Sequence, residues 1–591
     1  MKLQLQRKTS FITYSDQHLL YFSILLGAFL RFFRLGSQSI WGDEALTLQS
    51  YTVGNSLAQV LSNIWHKAFH PPLYFVIAHY WYQLGQSEFM LRFPSAVFGV
   101  AAIPMMYLIT RRFFRVGAPG ISALVVALSP FHVWYSQEAR MYSLQVLLAM
   151  GSTLFFLRAW KTRKAADYAL YGLLTLMGLY THIGTLLLVA AQGVFVLGVW
   201  ECGSVGVWEK GRVGERESGR KGVWGKGSVG ERESGRKGVW ESGRPDPPIP
   251  PHPHTPIQHP PRSTLAGVRD VRALIVWIGV MALVLLAFSP WMANFVLANK
   301  HVGGGDTIGF GRSASPLDVG YGLYTFGVGY SLGPSVSELH YLTPRIAVLR
   351  NLPVIGLCGV IFGMLAALGL VYACRAHRFG FWFVLSGLAV PLSLIALASL
   401  MPGVSMNPRY LMVAIIPYWI ILALGIEACS RVRGGLLIPL AACGLVAASL
   451  YNHYLQPAYA KQDMRSGVAL INDKAEAGDV VIISSIEIGG PFIYYFKRGD
   501  VPYFGYPPRH GQVDPRRLPG DMARILDRKT RVWLVLGRTW SSDPHGLILD
   551  FLRARYEIAE MRAYHGVSVT CFLLSCSSEV KASRRTVDWC L

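Results

Sequence analysis

The chain has 591 residues, 52% of them hydrophobic and only 15% charged, with a mean hydropathy of +0.34, a balance that excludes an ordinary soluble globular protein, where about 25% are charged. The formal charge of +22, from 56 Lys and Arg against 34 Asp and Glu, would point to nucleic acid in a soluble chain. Here the basic residues fall in short clusters between apolar runs, as in cytoplasmic loops of membrane proteins, so no nucleic-acid partner is expected.

A bilayer core of about 30 Å takes about 20 apolar residues per helix. Runs of that kind predict spans at 18–35, 88–110, 118–136, 142–160, 166–182, 183–200, 272–291, 350–373, 379–401, 410–428 and 434–452. The first run has no small-residue cleavage site and reads as a retained helix. Lys2, Arg7 and Lys8 precede it; Arg111, Arg112 and Arg115 follow the second run, and Arg158, Lys161, Arg163 and Lys164 the fourth. Arg375 and Arg378 follow the eighth, Arg431 and Arg433 the tenth. Eleven spans put all these clusters on one side, which the positive-inside rule makes the cytoplasm. The N-terminus is then inside and the C-terminus outside. Residues 71–84 (PPLYFVIAHYWYQL) are short, proline-led and rich in Tyr and Trp, and read as an interfacial helix in a first outer loop of 36–87.

Residues 203–244 carry GERESGRKGVW twice, at 214–224 and 230–240, before the proline-rich PDPPIPPHPHTPIQHPP. Such a segment cannot bury a core. Residues 201–271 therefore read as a disordered cytoplasmic loop between two transmembrane modules, 1–200 and 272–452. From 453 to 591 the pattern changes: GDVVIISS (478–485), RVWLVLG (531–537) and VSVTCFLLS (567–575) read as strands. With helical patterning at 464–475 and 545–555, they predict a small extracytoplasmic α/β domain with a loose tail from Ser577. The eight cysteines show no CxxC and no metal-ligand spacing. Cys358, Cys374, Cys429 and Cys443 read as packing residues, while Cys571, Cys576 and Cys590 allow one disulfide without assigning it.

The residues suited to chemistry are charged groups at the outer ends of spans, where positive-inside bookkeeping does not place them. Asp43 and Glu44 follow the first helix and offer a general base and a helper, or else acidic residues at a helix N-terminus. Arg31 and Arg34 lie near the end of that helix, where snorkelling to the interface accounts for one of them. His70 precedes Pro71 and Pro72 and is placed to hydrogen-bond an anionic headgroup. Arg92 lies inside an apolar run, where a charge at mid-bilayer costs about 2.5–3.5 kcal/mol; it is expected to face protein or water and to pair with Glu88. SPFHVWYSQEARMYSL supplies Gln137, Glu138, Arg140 and Tyr142, and MNPRYLMV supplies Arg409 and Tyr410. Guanidinium groups suit a phosphate through bidentate, charge-assisted hydrogen bonds.

In order, R-x-x-R-L-G, W-x-D-E, H-P-P-L-Y, L-R-x-P-S, S-Q-E-A-R-M-Y and a late P-R-Y resemble the dolichyl-phosphate-mannose-protein mannosyltransferase-like family, including the bacterial aminoarabinose transferases acting on lipid A. The resemblance covers about residues 18–200 well and 272–452 loosely. It implies a polytopic α-helical membrane protein of GT-C-like fold with about eleven transmembrane helices. It implies transfer of a sugar, with inversion, from a polyprenyl-phosphate donor to a lipid, protein or glycan acceptor outside the cytoplasm, at the plasma (inner) membrane. Asp43 would be the base and Glu44 its support. Arg92, Arg140 and Arg409 would hold the lipid phosphate, and His70, Glu138 and Tyr410 would bind substrate. No cofactor is implied, and no metal. A transporter or lipid flippase, or an inactive scaffold of the same family, are the alternative readings.

Overall fold

A backbone in hydrocarbon must satisfy its polar groups within its own segment, and the apolar runs accordingly fold as helices. The computed structural model describes residues 2–51, 55–67, 70–114, 117–198, 271–301, 316–342, 344–400, 407–508 and 511–574. The repeat-bearing insertion, the tail from Ser577, Cys576 and Cys590 lie outside these residues. The chain opens with α1 (Lys2–Phe32) and three short helices, α2 (Gly42–Tyr51), α3 (Leu57–Lys67) and α4 (Leu73–Trp81). There follow α5 (Glu88–Phe113), α6 (Ala118–Leu128), α7 (Pro130–Ser136), α8 (Tyr142–Thr162), α9 (Ala165–Leu179) and α10 (Thr185–Gly198). After the insertion come α11 (Val271–His301), α12 (Pro316–Val328), α13 (Val336–Tyr341), α14 (Pro344–Arg350), α15 (Leu352–Ala376) and α16 (Arg378–Ala398). A 3₁₀ turn (Pro408–Ala414) runs into α17 (Ile415–Cys429), and α18 (Leu437–Leu455) closes the helical part.

Among the described residues six helices are long and apolar enough to cross a membrane: α5, α8, α11, α15, α16 and the 3₁₀ turn with α17. The bent pair α6–α7 makes a seventh. The other runs expected to span fall on α1, α9, α10 and α18, so each lies on a helix, and the expected count of eleven goes beyond the six or seven crossings found among the described residues. At nine residues, α4 is about 13 Å long, too short to cross.

Two details fix the packing near the site. The α6–α7 pair bends by 56° at Ser129–Pro130, because Pro130 has no N–H for the carbonyl of Val126. Arg31 serves that break: Nη2 donates to Val126 O at 2.9 Å and Nη1 to Ala127 O at 3.1 Å, while Nη2 also meets His132 Nδ1 at 2.9 Å. Arg31 is fully buried, so it does not snorkel; it stitches a broken helix. At the α15–α17 crossing, a Cβ on Gly369 would overlap Ile421 O and one on Gly425 would overlap Leu365 O. The two backbones touch, as small residues permit between membrane helices.

Beyond α18 lie α19 (Met464–Lys474), β1 (Val480–Ile483), α20 (Ile486–Tyr495), β2 (Tyr503–Gly505) and α21 (Leu518–Ile525). They are followed by β3 (Arg531–Gly537), α22 (Thr539–Ser542), α23 (Leu547–Arg553), β4 (Glu557–Tyr564) and β5 (Val567–Leu573). The sheet runs β2-β1-β3-β5-β4, with β1 parallel to β2 and β3, and β5 antiparallel to β3 and β4. All four residues of β1 are buried, as an inner parallel strand requires. One face packs on α19 and α20, the other on α21 and α23. Cys571, in β5, is buried and free.

Candidate functional site

The turn from α1 to α2 carries the acidic pair, and its carbonyls are claimed by two arginines. Arg92, on α5, donates through Nη1 to Leu35 O at 3.0 Å and Gln38 O at 2.9 Å, and through Nη2 to Ser39 O at 3.0 Å. Arg465, on α19, donates to Gly36 O at 3.1 Å and to Ser37 O and Gln38 O, both at 3.3 Å. Tyr495 Oη accepts the Ile40 N–H at 2.8 Å. Gln137 Nε2 caps the end of α1, donating to Leu30 O at 3.3 Å, Arg31 O at 3.1 Å and Phe33 O at 2.9 Å. Asp43 and Glu44 then fall in the first turn of α2, where its unpaired N–H groups favour negative charge.

Glu44 is sealed. Arg92 grips it with Nε to Oε1 at 2.8 Å and Nη2 to Oε2 at 2.7 Å, and the Ala139 N–H donates to Oε1 at 2.9 Å. Burial pushes the pKa of this carboxyl up, but Arg92 and Lys461 outweigh it and hold it below the ordinary range. Two expectations about Arg92 are corrected here. It pairs with Glu44, whereas Glu88 pairs with Arg465 Nη2 at 2.7 Å and accepts from Tyr495 Oη at 2.9 Å. A guanidinium has five N–H donors; those of Arg92 are spent on Glu44 and the three carbonyls, and the side chain is 2% exposed. It has no donor left for a phosphate and instead shapes the acidic turn.

Asp43 is open. Its Oδ2 accepts from Arg409 Nη1 at 2.6 Å, with side-chain exposures of 28% and 17%. Arg140 Nη1 donates to Asp43 O at 3.2 Å and Thr47 Oγ1 at 3.1 Å, and Nη2 lies 2.9 Å from His70 Nε2. Burial pushes the Asp43 carboxyl up, but Arg409, Arg140 and Arg538 together hold it well below the usual carboxylate range. Burial and the charge of Arg140 push His70 well below its ordinary value; it is neutral, and Nε2 accepts from Arg140. Arg409 also lies over the rings of Tyr142 and Tyr410, at 5.7 and 5.8 Å, and Tyr410 stacks on His182 at 6.5 Å. The Nε groups of Arg140 and Arg409 are buried without a hydrogen-bond partner. Both oxygens of buried Glu138 lack one too, and burial pushes that carboxyl up.

All eight residues singled out from the sequence, Asp43, Glu44, His70, Arg92, Glu138, Arg140, Arg409 and Tyr410, therefore gather in one place. They sit where α5, α8 and the turn into α17 begin; Arg111, Arg158 and Arg431 mark the opposite ends of those helices. Three further cations went unread in the sequence. Lys461 has Nζ 3.6 Å from Glu44 and 3.5 Å from Glu138, Arg465 clamps the turn, and Arg538 lies 5.9 Å over the Trp41 ring. Lys461 and Arg465 lie in the polar stretch after the last apolar run, not inside a run as Arg92 does, and Arg538 follows β3, so none of the three carries the signal that marked Arg92. Among the described residues no group of three His, Cys, Asp or Glu side chains could hold a metal ion.

Fold and site are those of a multi-pass membrane protein with an acidic pair and a cationic cluster at one end of its helices. Residues 69–203 match the sequence model of the dolichyl-phosphate-mannose-protein mannosyltransferase family. The provisionally named mannosyltransferase YycA of Bacillus subtilis (strain 168) is 29% identical over 154 residues, 24% of this chain and 22% of that protein's length. The apo oligosaccharyltransferase of Archaeoglobus fulgidus has a similar structure over 95% of this chain and 74% of its own, with a TM-score of 0.50 and 13% identity. ArnT from Cupriavidus metallidurans, bound to undecaprenyl phosphate, aligns over 93% of this chain and 97% of its own at 12% identity and a TM-score of 0.48. At such identities the structural likeness is one of fold. The resemblance to GT-C glycosyltransferases read from the motifs thus has independent support in the family match over 69–203 and in the architecture.

Proposed function

We propose that the protein is a membrane glycosyltransferase that moves a sugar from a polyprenyl-phosphate carrier to an acceptor hydroxyl on the extracytoplasmic face, with inversion. The observation that carries this reading is the open carboxylate of Asp43, held by the partly exposed Arg409, with buried Arg140 on the Asp43 backbone carbonyl and an unspent Nε donor on each guanidinium. Two cations with free donors at a membrane-helix terminus suit the phosphate of a lipid carrier, and the matched family is described by such a donor, dolichyl-phosphate-mannose. The acceptor oxygen bonds to the anomeric carbon as the bond from that carbon to the phosphate oxygen breaks. Asp43 takes the acceptor proton, and Arg140 and Arg409 stabilise the charge that collects on the departing phosphate. His70 and Tyr410 line the cluster, while Glu44 and Arg92 set its geometry. The basic clusters at the far helix ends support an extracytoplasmic position for the site at the plasma membrane.

Transfer from a radiolabelled polyprenyl-phosphate sugar by Asp43→Asn in nanodiscs is the test. Loss of a positioned base lowers turnover by about 10²–10⁴-fold, with carrier binding retained. A transporter or flippase would still move the carrier with Asp43 replaced, and wild-type turnover in the Asn variant would overturn the transferase reading.

A further inference from the structure

Among the described residues, the sheet domain approaches the acidic turn with one cation, Arg538, that makes no hydrogen bond to it. β1 and β3 are parallel neighbours, and the chain leaves them in opposite directions, from β1 to the edge strand β2 and from β3 to the far edge strand β4. The carboxyl ends of such a pair form the crevice in which open α/β sheets bind their ligands. At that end of β3, Arg538 follows Gly537 with a left-handed backbone, φ 49° and ψ 39°. Residues other than Gly, Asn and Asp rarely adopt that conformation, and it persists where the surroundings impose it, commonly at functional sites. The surroundings here begin with Glu487, in the first turn of α20. Arg538 Nη1 donates to Glu487 Oε2 at 3.2 Å, and Ser541 Oγ donates to Glu487 Oε1 at 3.1 Å.

Held this way, the guanidinium meets the two residues before the proposed base. Its Cζ lies 5.9 Å from the centroid of the Trp41 ring, which also has Lys461 Nζ at 5.5 Å. Gly42 comes next, and a Cβ on it would stand 3.2 Å from Glu487 O and 3.8 Å from both Nη1 and Nη2 of Arg538. A side chain at 42 would crowd this contact; the bare backbone lets the sheet domain pack directly against the residue preceding Asp43. Asp43 is thereby approached from two parts of the molecule. Arg140 and Arg409 come from the helical part, and Arg538 from the sheet. We propose that Arg538 is a positioning residue for the transfer, fixing through Trp41 and Gly42 the backbone that carries Asp43 and adding its charge to the surroundings of that carboxylate. This rests on the transferase reading above. The Asp43 carboxyl is held low by Arg538 as well as by Arg409 and Arg140, as a nearby cation does without a bond.

Turnover and donor KM of Arg538→Ala, Arg538→Lys and Gly42→Ala, each as the full chain in nanodiscs, test the assignment. The donors are short-chain polyprenyl phosphates bearing radiolabelled mannose, glucose or aminoarabinose, and native membranes supply the acceptor. Arg538→Ala should lower kcat by up to about 100-fold, the cost of a base displaced by about 1 Å, with donor KM held. Its acid limb should move to higher pH, by less than in a variant lacking Arg409, and added guanidinium ion should restore part of the rate. Arg538→Lys keeps the charge and should keep the acid limb of wild type. Gly42→Ala leaves every charge in place and should lower kcat as well. Wild-type kcat in Arg538→Ala, or in Gly42→Ala where the Arg538 variants do not fold, overturns the assignment, as does a loss confined to donor KM. A lower kcat with an unmoved acid limb and no guanidinium rescue overturns it too, because general loosening of the fold gives that result. These outcomes leave the transferase reading standing. Absence of transfer by wild type from every such donor overturns the reading and the assignment together.

Discussion

Asp43 and Arg409, 366 residues apart in the chain, meet through a single hydrogen bond of 2.6 Å that is partly open to the surroundings. One residue on, Glu44 meets Arg92 through two hydrogen bonds in a sealed interior. The chemical difference between the neighbouring carboxylates follows from this contrast. A one-bond, partly open pair can exchange partners, so that in the proposed transfer an arriving phosphate would compete for Arg409 and free Asp43 to accept a proton. A fork-to-fork pair with every donor spent cannot.

The first prediction concerns the base. Arg409 is the largest of the charges opposing the effect of burial on Asp43. In Arg409→Gln the carboxyl rises, and the acid limb of the transfer rate should move to higher pH than in wild type. A pH–rate profile of the two proteins with saturating donor checks this; an unmoved acid limb would show that another group sets it.

Glu44 and Arg92 should behave as a structural pair. Removing one partner of a buried ion pair costs about 3–5 kcal/mol because the other charge is left unpaired. Glu44→Gln and Arg92→Met should each lower the thermal unfolding midpoint, and the double variant should be destabilised by less than the sum. Additive losses in that double-mutant cycle would argue against direct coupling.

Arg465 reaches the acidic turn from α19 without touching Asp43. In Arg465→Gln the carbonyls of Gly36 and Ser37 lose their donor and that of Gln38 keeps only Arg92, and the proposed base is misplaced as a result. Turnover should fall, by up to about 100-fold for a displacement near 1 Å, while donor KM holds. Partial recovery in Arg465→Lys would separate positioning from general loss of fold.

His70 gives a stability signature. Its folded-state value is depressed by burial first and then by Arg140, so below its unfolded value of about 6.5 the unfolded chain takes up a proton that the folded chain refuses. This contribution is complete above that pH and is lost as the pH falls through it. The unfolding midpoint should drop between pH 7 and 5 in wild type and drop less steeply in His70→Gln.

The sequence was informative where physics leaves a strong local mark. Apolar length marked the helices, a charge inside an apolar run marked Arg92 as needing a partner, and charges at the ends of spans marked Arg140 and Arg409. It could not say which partner. Arg92 found Glu44 and not the nearby Glu88, because Arg465 and Tyr495 arrive from far along the chain to claim Glu88. The buried strands β1, β3 and β5 were readable from their apolar runs. β4, with the sequence EIAEMRAY, escaped notice because it is a largely exposed edge strand whose charges discourage further pairing. Arg31 looked like an interfacial arginine because nothing local announces that Pro130 would leave a carbonyl unpaired a hundred residues away.

The glycine contact between α15 and α17 bears on how the cluster can move. Gly369 and Gly425 bring backbone against backbone, and a peptide group cannot yield as a side chain does; Gly425→Ala should therefore cost about 1–3 kcal/mol of stability or more through overpacking and lower the unfolding midpoint. Held there, α17 is a fixed post, and Arg409 sits on the 3₁₀ turn above it. Any swing of that guanidinium from carboxylate to phosphate has to be absorbed in the short, less regularly bonded stretch from Pro408 to Ala414, which makes that turn the wrist of the molecule and α17 its forearm.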